Sequence, residues 1–239
     1  LKFLNTTYGK EKERISFIGS TISLLLMLLM LSFNGFGILN DFSTDFSESV
    51  YVQTGIFFLI LFVASDLISL PFSWYNTFVI EEKYGFNKTT LKTYILDKLK
   101  GYLLTLILGG GVLTGVLFIT TKLSDGFWIW LWIGLGGLMM LINMFYADVI
   151  VPIFNKLTPL EEGSLREKIE NYSKKVGYSL KNIYIIDGSK RSTKANAFFS
   201  GLGPRKTIAL YDTLIENHSE PELVAVLAHE VGHYKKKHI

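Results

Sequence analysis

Residues 127–149 read FWIWLWIGLGGLMMLINMFYADV, an apolar run of 23 residues that contains one charge, Asp148. About 20 apolar residues in a helix are enough to cross the hydrocarbon core of a bilayer. Three other stretches have a similar length and character, at 15–33, 53–72 and 101–121. The sequence therefore predicts a mainly α, polytopic membrane protein, with about four spans in a transmembrane region over residues 1–150.

The composition agrees with this prediction. Of the 239 residues, 49% are hydrophobic, and the mean hydropathy of +0.32 is higher than that of ordinary soluble domains. The net charge of +3 is too small to indicate a nucleic-acid partner. There is no cysteine in the sequence, so disulfides, thiolate metal ligands and a cysteine nucleophile are excluded within these residues.

The segments between the predicted spans alternate in charge. Residues 1–14 and 73–100 are rich in lysine, whereas 34–52 contain acidic residues but no lysine or arginine. The positive-inside rule then places 1–14, 73–100 and 150–239 on the cytoplasmic side. We expect an integral multi-pass protein, in the inner membrane of a bacterium or the endoplasmic reticulum of a eukaryote.

After residue 150 the sequence changes character. Pro152, Pro159 and Gly163 interrupt the apolar pattern. Beyond them the periodicity predicts an amphipathic helix at about 163–176, a strand at 183–186, and a hairpin of 195–199 and 207–211 across 201–204. Residues 151–239 are therefore predicted to begin a separate small α+β domain.

The last predicted helix carries the chemistry. Residues 225–234 read AVLAHEVGHY and contain the pattern His-Glu-x-x-His. On a helix His229 and His233 share one face, and Glu230 lies about 100° away from His229. Two imidazoles beside a carboxylate are an arrangement that binds zinc and activates its water. The alternative is a helix whose histidines make ordinary hydrogen bonds.

The beginning of this helix is also predicted. Ser219 and Glu222 have the spacing of a capping box, and Pro221 falls in the first turn, where proline is favoured. Two histidines and a glutamate within such an apolar helix are costly to bury unpaired. The capping signals therefore predict an ordered helix. The cost of burying its polar residues favours a functional reason for their presence.

Several blocks together resemble the CAAX prenyl endopeptidase family of integral-membrane zinc proteases. They are PFSWYNTFVIEEKYGFN at 71–87, YAD at 146–148 with Pro152 and Phe154, LTPL at 157–160, SKRS at 189–192 with NAFF at 196–199 and Gly201, and the segments 206–214 and 225–238. In the first block, Glu81 and Glu82 are interpreted as loop-fixing salt bridges. Lys194 stands where relatives often have histidine, and no role is assigned to it.

The resemblance implies a ring of long transmembrane helices around a water-filled chamber, with a cytosolic zinc-protease domain. It implies one Zn²⁺ ion held by His229, His233 and a downstream glutamate that is not in this chain, with Glu230 as general base. The C-terminal part of such a protein is absent here. The lipid bilayer is an expected partner, and we expect a monomer.

The resemblance also implies a substrate site. Asn196 and Ala197 are expected on an edge strand that pairs with an extended peptide; the alternative is a strand that packs only against its own protein. The implied activity is removal of the last three residues from prenylated CAAX proteins. Two alternatives remain: a general membrane-protein quality-control zinc protease, and a non-proteolytic membrane binding chamber if the third zinc ligand is truly missing.

Overall fold

A computed structural model of the chain describes residues 2–123, 125–177, 180, 182–200 and 206–235, without the side chains of residues 2–6, 230 and 233–235. These residues fall into two compact units. Unit 1 contains residues 1–87 and 103–127, and unit 2 contains residues 88–102 and 128–239. The division at residue 150 that the sequence suggests stays a prediction.

Unit 1 consists of long helices. Helix α1 is Lys2–Ser32, α2 is Gly35–Phe46, α3 is Val50–Tyr75, and α4 is Leu91–Lys122, whose first turns belong to unit 2. Asn34 joins α1 to α2 with a φ of 53°, a left-handed conformation that asparagine tolerates better than most residues. Helix α2 was not predicted, because its 12 residues lack the long apolar run by which the spans were recognised.

Within the described residues, four helical stretches are long and apolar enough to cross a membrane. They are Thr7–Ser32, Val50–Glu81, Leu91–Lys122 and Phe127–Phe154. Each contains one of the four predicted apolar stretches, except that residue 33 of the first stretch lies beyond its helix. The helices are longer than the stretches because polar residues at their ends continue the same helical hydrogen bonding.

Two of these helices end in wider, π-helical turns. Helix α3 contains Pro71 and continues into a π-helix at Asn76–Glu81. Helix α5, Phe127–Phe145, continues into a π-helix at Tyr146–Ile150 and then into α6, Val151–Phe154. Proline cannot donate the regular helical hydrogen bond, and π-helical turns occur often at functional positions.

Unit 2 contains one four-stranded sheet. Its strands are β1 Leu157–Pro159, β2 Asn182–Ile186, β3 Ala197–Ser200 and β4 Thr207–Tyr211, in the order β1-β2-β4-β3. Strands β2 and β4 are parallel, and the two outer pairs are antiparallel. The predicted strands are present, with β3 beginning two residues late; β1 was not predicted. The predicted turn at 201–204 lies outside the described residues.

Three helices complete unit 2: α7 Ser164–Lys175, α8 Asp212–Asn217 and α9 Glu220–Lys235. They pack with the sheet around one core, in which each fully buried aliphatic side chain contributes about 1.5–3 kcal/mol. The buried members of this core are Leu160, Ile169, Ile183, Ile208, Leu210, Leu214, Leu223, Leu227 and Val231. The core therefore fixes α9 to the strands beside it.

Candidate metal centre and substrate strand

Helix α9 has one buried face, and positions 229 and 233 lie away from it. Leu223, Leu227 and Val231 are four residues apart and almost completely buried. Position 229 lies about 200° around the helix from 227, and position 233 follows one turn later. His229 is exposed. The core therefore holds the helix in an orientation that keeps positions 229 and 233 off the buried face.

The donors on α9 fit part of a zinc site. The helix is continuous from Glu220 to Lys235, so positions 229 and 233 have the one-turn spacing of two ligands to one ion. The side chains of Glu230 and His233 lie outside the described part of the chain. Among the described side chains, which include His229, no three His, Cys, Asp or Glu groups come together as a metal site.

The start of α9 is fixed as the sequence predicts. The backbone N–H and the hydroxyl of Ser219 both donate to the Glu222 carboxylate, at 2.8 and 2.7 Å. These hydrogen bonds lower the pKa of Glu222, because they favour its charged form. The Glu222 half of the predicted capping box is thus confirmed, and it satisfies a backbone donor just before the helix. The Ser219 hydroxyl donates to the carboxylate instead of accepting from the Glu222 N–H.

Residues of helix α7 are hydrogen-bonded to Glu220, the first residue of α9. The Glu220 carboxylate accepts hydrogen bonds from Lys168 Nζ at 2.6 Å and Ser164 Oγ at 2.7 Å. The lysine first, and then the serine, lowers the pKa of Glu220. Because exposed ion pairs contribute little, the packed core remains the main restraint on α9.

Strand β3 is the last strand of the sheet among the described residues. The carbonyl of Asn196 accepts a hydrogen bond from Tyr211 N at 3.0 Å, so the backbone carbonyl of Asn196 points towards β4. Backbone groups alternate along a strand, so those of Ala197 point away from β4, towards the open edge. Asn196 Oδ1 accepts the Ala197 N–H at 2.9 Å. The predicted pair Asn196 and Ala197 therefore lies at the edge of the sheet.

The two faces of β3 have different neighbours. Ala197 and Phe199 pack against the core of unit 2. Phe198 lies edge-to-face with Tyr146 of the π-helix, with ring centroids 5.9 Å apart, and Ser200 Oγ donates to the Asn143 carbonyl at 3.3 Å. The strand is thus held between its own domain core and the end of a membrane-length helix.

Two aspartates that organise this region were not identified from the sequence. Asp187 follows β2, and its carboxylate accepts Lys156 N at 2.8 Å and Asn155 Nδ2 at 3.2 Å. Asp212 follows β4, and it accepts hydrogen bonds from the backbone N–H and the hydroxyl of Ser189. Their position directly after two parallel strands could have revealed them, because such strand ends lie at the same edge of a sheet.

The block at 71–87, which was interpreted as a loop from the sequence, is helical up to Glu81, and Glu81 is hydrogen-bonded within unit 1. Glu81 accepts hydrogen bonds from the Tyr8 hydroxyl and from Lys12 Nζ, the latter at 3.2 Å. Glu82 accepts a hydrogen bond from Asn87 Nδ2 at 2.9 Å. The salt-bridge interpretation is confirmed for Glu81, whereas the recorded partner of Glu82 is a neutral amide.

Comparisons with known proteins cover nearly the whole chain. A family model described as "CAAX prenyl protease N-terminal, five membrane helices" matches residues 5–156, and the model of "Peptidase family M48" matches residues 159–239. "Probable CAAX prenyl protease 1" of Schizosaccharomyces pombe is 41% identical over 249 residues, which cover 97% of this chain and 52% of that protein.

Two further relatives agree. "CAAX prenyl protease 1" of Saccharomyces cerevisiae is 36% identical over 97% of this chain and 54% of its own length. The crystal structure of S. mikatae Ste24p is similar with a TM-score of 0.90 and 37% identity, over 97% of this chain and 56% of that one. The chain thus spans about half the length of the curated relatives that it matches.

Proposed function

Because the chain belongs to the CAAX prenyl protease family, peptidase family M48, we propose that it supplies the membrane helices and part of the zinc site of a metalloendopeptidase. The chain is an integral multi-pass membrane protein, mainly α, with a small α+β region, and this prediction of the fold class is confirmed. The family is one of metalloproteases, which implies a metal, generally zinc.

The observation that carries the proposal is the orientation of α9. Its buried face is fixed in the core through Leu223, Leu227 and Val231, which leaves positions 229 and 233 on the opposite face. We assign His229 and His233 as two ligands of one zinc ion, with a third ligand, a glutamate, from outside these 239 residues. When bound, the ion supplies Lewis-acid polarisation of the scissile carbonyl and lowers the pKa of the attacking water.

Glu230 is assigned as the general base. It follows His229 on α9, next to the metal-binding face, and it takes a proton from the attacking water and delivers it to the leaving amine. The two histidines are uncharged while they bind the metal, so Glu230 is the acid–base group that this helix contributes. The reaction is hydrolysis of a peptide bond.

Strand β3 is assigned as the substrate strand. An extended peptide adds to its open edge through the backbone of Ala197, and main-chain hydrogen bonds provide affinity in this mode of recognition. The Ala197 N–H is held by Asn196 Oδ1 at 2.9 Å. The side chain of Asn196 therefore turns away from this N–H when the substrate pairs with it.

The substrate that we propose is a prenylated protein with a C-terminal CAAX sequence, since the relatives are named for that substrate. The test uses the full-length protein, with zinc, in lipid bilayers. It should cleave a farnesylated CAAX peptide faster than its unprenylated twin. Equal rates would favour a general quality-control protease, and no cleavage by the zinc-loaded protein would favour a non-proteolytic binding chamber.

The role of Glu230 is tested by Glu230→Gln, which should retain one zinc per molecule and lose at least about 10²-fold in kcat. Glu222→Gln is the matched control, because it makes the same change on the same helix, eight residues away, and should cleave normally. His229→Ala should lose zinc. A Glu230→Gln variant that cleaves at the wild-type rate would contradict the assignment.

We propose further that the lysine-rich segments and α9 face the cytoplasm and that the protein is a monomer. The absence of cysteine in these residues allows Asp45→Cys and Glu162→Cys to be labelled singly, once any cysteine elsewhere has been replaced. An impermeant thiol reagent should reach position 162 from the cytoplasmic side only and position 45 from the other side. Labelling of both from one side would contradict this topology.

A further inference from the structure

One arginine, Arg191, anchors the segment 188–194, which leads into β3, to other parts of unit 2. Arg191 follows the short 3₁₀ turn Gly188–Lys190. Its Nε and Nη2 donate to the two oxygens of Asp97 on α4, at 2.7 and 2.8 Å. Nη2 also donates to the Phe154 carbonyl at 2.6 Å. A planar guanidinium can pair through two nitrogens with both oxygens of a carboxylate and also donate to a carbonyl, and the single nitrogen of lysine lacks this fork.

The backbone of Arg191 makes a second connection to the approach to α4. Its carbonyl accepts hydrogen bonds from Lys88 N at 3.0 Å and from Thr89 Oγ1 at 3.2 Å. Arg191 therefore touches three chain segments within unit 2: residues 88–89, the first turns of α4, and the end of α6. None of these contacts is local in the sequence. Asp97, for example, is 94 residues away from Arg191.

The pair is partly buried. About a quarter of each side chain is exposed, 23% for Arg191 and 24% for Asp97, and Arg191 Nη1 is buried without a hydrogen bond among the described residues. The hydrogen bond to Asp97 is the main reason that the pKa of Arg191 is raised above its usual value. Removing one partner would leave the other charge poorly solvated.

The same segment is also hydrogen-bonded to the first residues of α8. Ser189 donates to Asp212, and Thr213 Oγ1 donates to the Lys194 carbonyl at 3.0 Å. The segment 188–194 is therefore held between the first turns of α4 and the start of α8. Asn196, which directly precedes the substrate strand β3, comes two residues later.

We infer that Arg191 and Asp97 are positioning residues, which fix the beginning of the substrate strand β3 to the first turns of the membrane-length helix α4. They touch neither substrate nor metal, and they act through Asn196 and Ala197. This inference rests on the proposed function, because it takes β3 as the strand with which a peptide pairs. The pair sets where the open edge of β3 lies when a peptide is added to it.

The test measures KM and kcat of the full-length, zinc-loaded protein on a farnesylated CAAX peptide. Asp97→Asn should raise KM strongly and change kcat less, and kcat/KM should fall by about 10- to 100-fold, since small displacements of a binding group have effects of this size. Arg191→Lys keeps the charge but loses the two-nitrogen pairing with the Asp97 carboxylate, so its KM should lie between those of wild type and Asp97→Asn.

The matched control is Glu170→Gln, which breaks the Arg166–Glu170 pair on α7, where Arg166 Nε and Glu170 Oε1 are 2.9 Å apart. It removes a carboxylate from an arginine in the same unit without touching the segment 188–194, and its KM should stay at the wild-type value. Zinc content should be the same in all variants. Should Asp97→Asn fail to fold, Arg191→Lys decides the question.

The two possible failures can be distinguished. A zinc-loaded wild-type protein that cleaves no peptide overturns the proposed function. A wild-type protein that cleaves, together with Asp97→Asn and Arg191→Lys variants whose KM is unchanged, overturns the positioning role alone. A parallel fall in zinc content and kcat with unchanged KM would also contradict it, because the pair would then act on α9 rather than on the substrate strand.

Discussion

The long helices and the sheet domain, by which we mean the strands and helices between residues 157 and 235, use the same types of apolar residue in opposite ways. Leu103 on α4 is 60% exposed, whereas Leu214 on α8 is 5% exposed. The most apolar part of three of the four membrane-length stretches contains no buried residue, and that of the fourth is 11% buried. In the sheet domain, leucine, isoleucine and valine form a closed core.

Apolar side chains therefore have two different environments in this chain. On the membrane-length helices much of the apolar surface is exposed, and we expect lipid to cover it, because lipid solvates it as well as a protein neighbour would. In the sheet domain the apolar side chains must leave water, and their burial stabilises the fold. Substitutions of one residue type should therefore have different effects in the two regions.

The largest effect is expected for a core leucine. Leu214→Ala should lower the stability of the sheet domain by about 2–5 kcal/mol, because the lost contacts and the remaining cavity both contribute. The same change at Leu103, also in a helix, should leave that stability almost unchanged. Hydrogen exchange of residues 157–235 in lipid nanodiscs would measure the free energy of local opening for both variants.

The comparison would fail if Leu103→Ala were as damaging as Leu214→Ala. That outcome would mean that the exposed face of α4 at Leu103 packs against protein rather than lipid. A further leucine on the same helix, Leu106, is 52% exposed and would then show whether the protein contact extends along α4.

Introducing a charge should have the opposite order of effects, with the larger cost on helix α4. Leu106→Arg should disfavour membrane insertion of α4 by about 2.5–3.5 kcal/mol, the cost of an arginine near the centre of a membrane helix. Glu161→Arg, at an exposed position between β1 and α7, should have almost no effect. An insertion assay that compares α4 with and without the arginine measures the cost. An unchanged insertion efficiency would contradict a lipid-facing position.

Local patterns explain what could be predicted from the sequence. The four apolar stretches are continuous in the chain, so hydropathy was sufficient to predict them. Residues 229, 230 and 233 lie within about one helical turn, so their spacing alone predicts a zinc site, and their roles stay predictions. The pair of Ser219 and Glu222 is also local, since its members are three residues apart. The placement of Asn196 and Ala197 at a sheet edge was predicted correctly, but their contact with substrate stays a prediction.

The features that were missed depend on distant residues. Arg191 and Asp97 are 94 residues apart, with two of the four apolar stretches between them, and nothing near either residue indicates the other. Strand β1 has three residues and forms because it pairs with β2, not because of its own propensity. Tertiary contacts of this kind leave no periodic signal in a single sequence.

The smallest effect is expected at the start of α9. The pKa of Glu222 is lowered from its ordinary value of 4.5 by the hydrogen bonds from Ser219. A lowered pKa in the folded state means that the contribution to stability is complete above about pH 4.5 and disappears as the pH falls through the folded value. Glu222→Gln removes the charge at every pH and keeps the shape of the side chain.

Wild type should therefore melt slightly higher than Glu222→Gln at pH 6, and the two Tm values should converge as the pH falls below 4.5. Thermal unfolding of the two zinc-free proteins at several pH values measures this, because the histidines of α9 then affect both equally. The effect is small since the carboxylate is exposed, and salt should reduce it further. A Tm difference that is the same at pH 6 and well below pH 4.5 would show that Glu222 acts through packing rather than through its charge, and the start of α9 would then depend on apolar contacts as the rest of the sheet domain does.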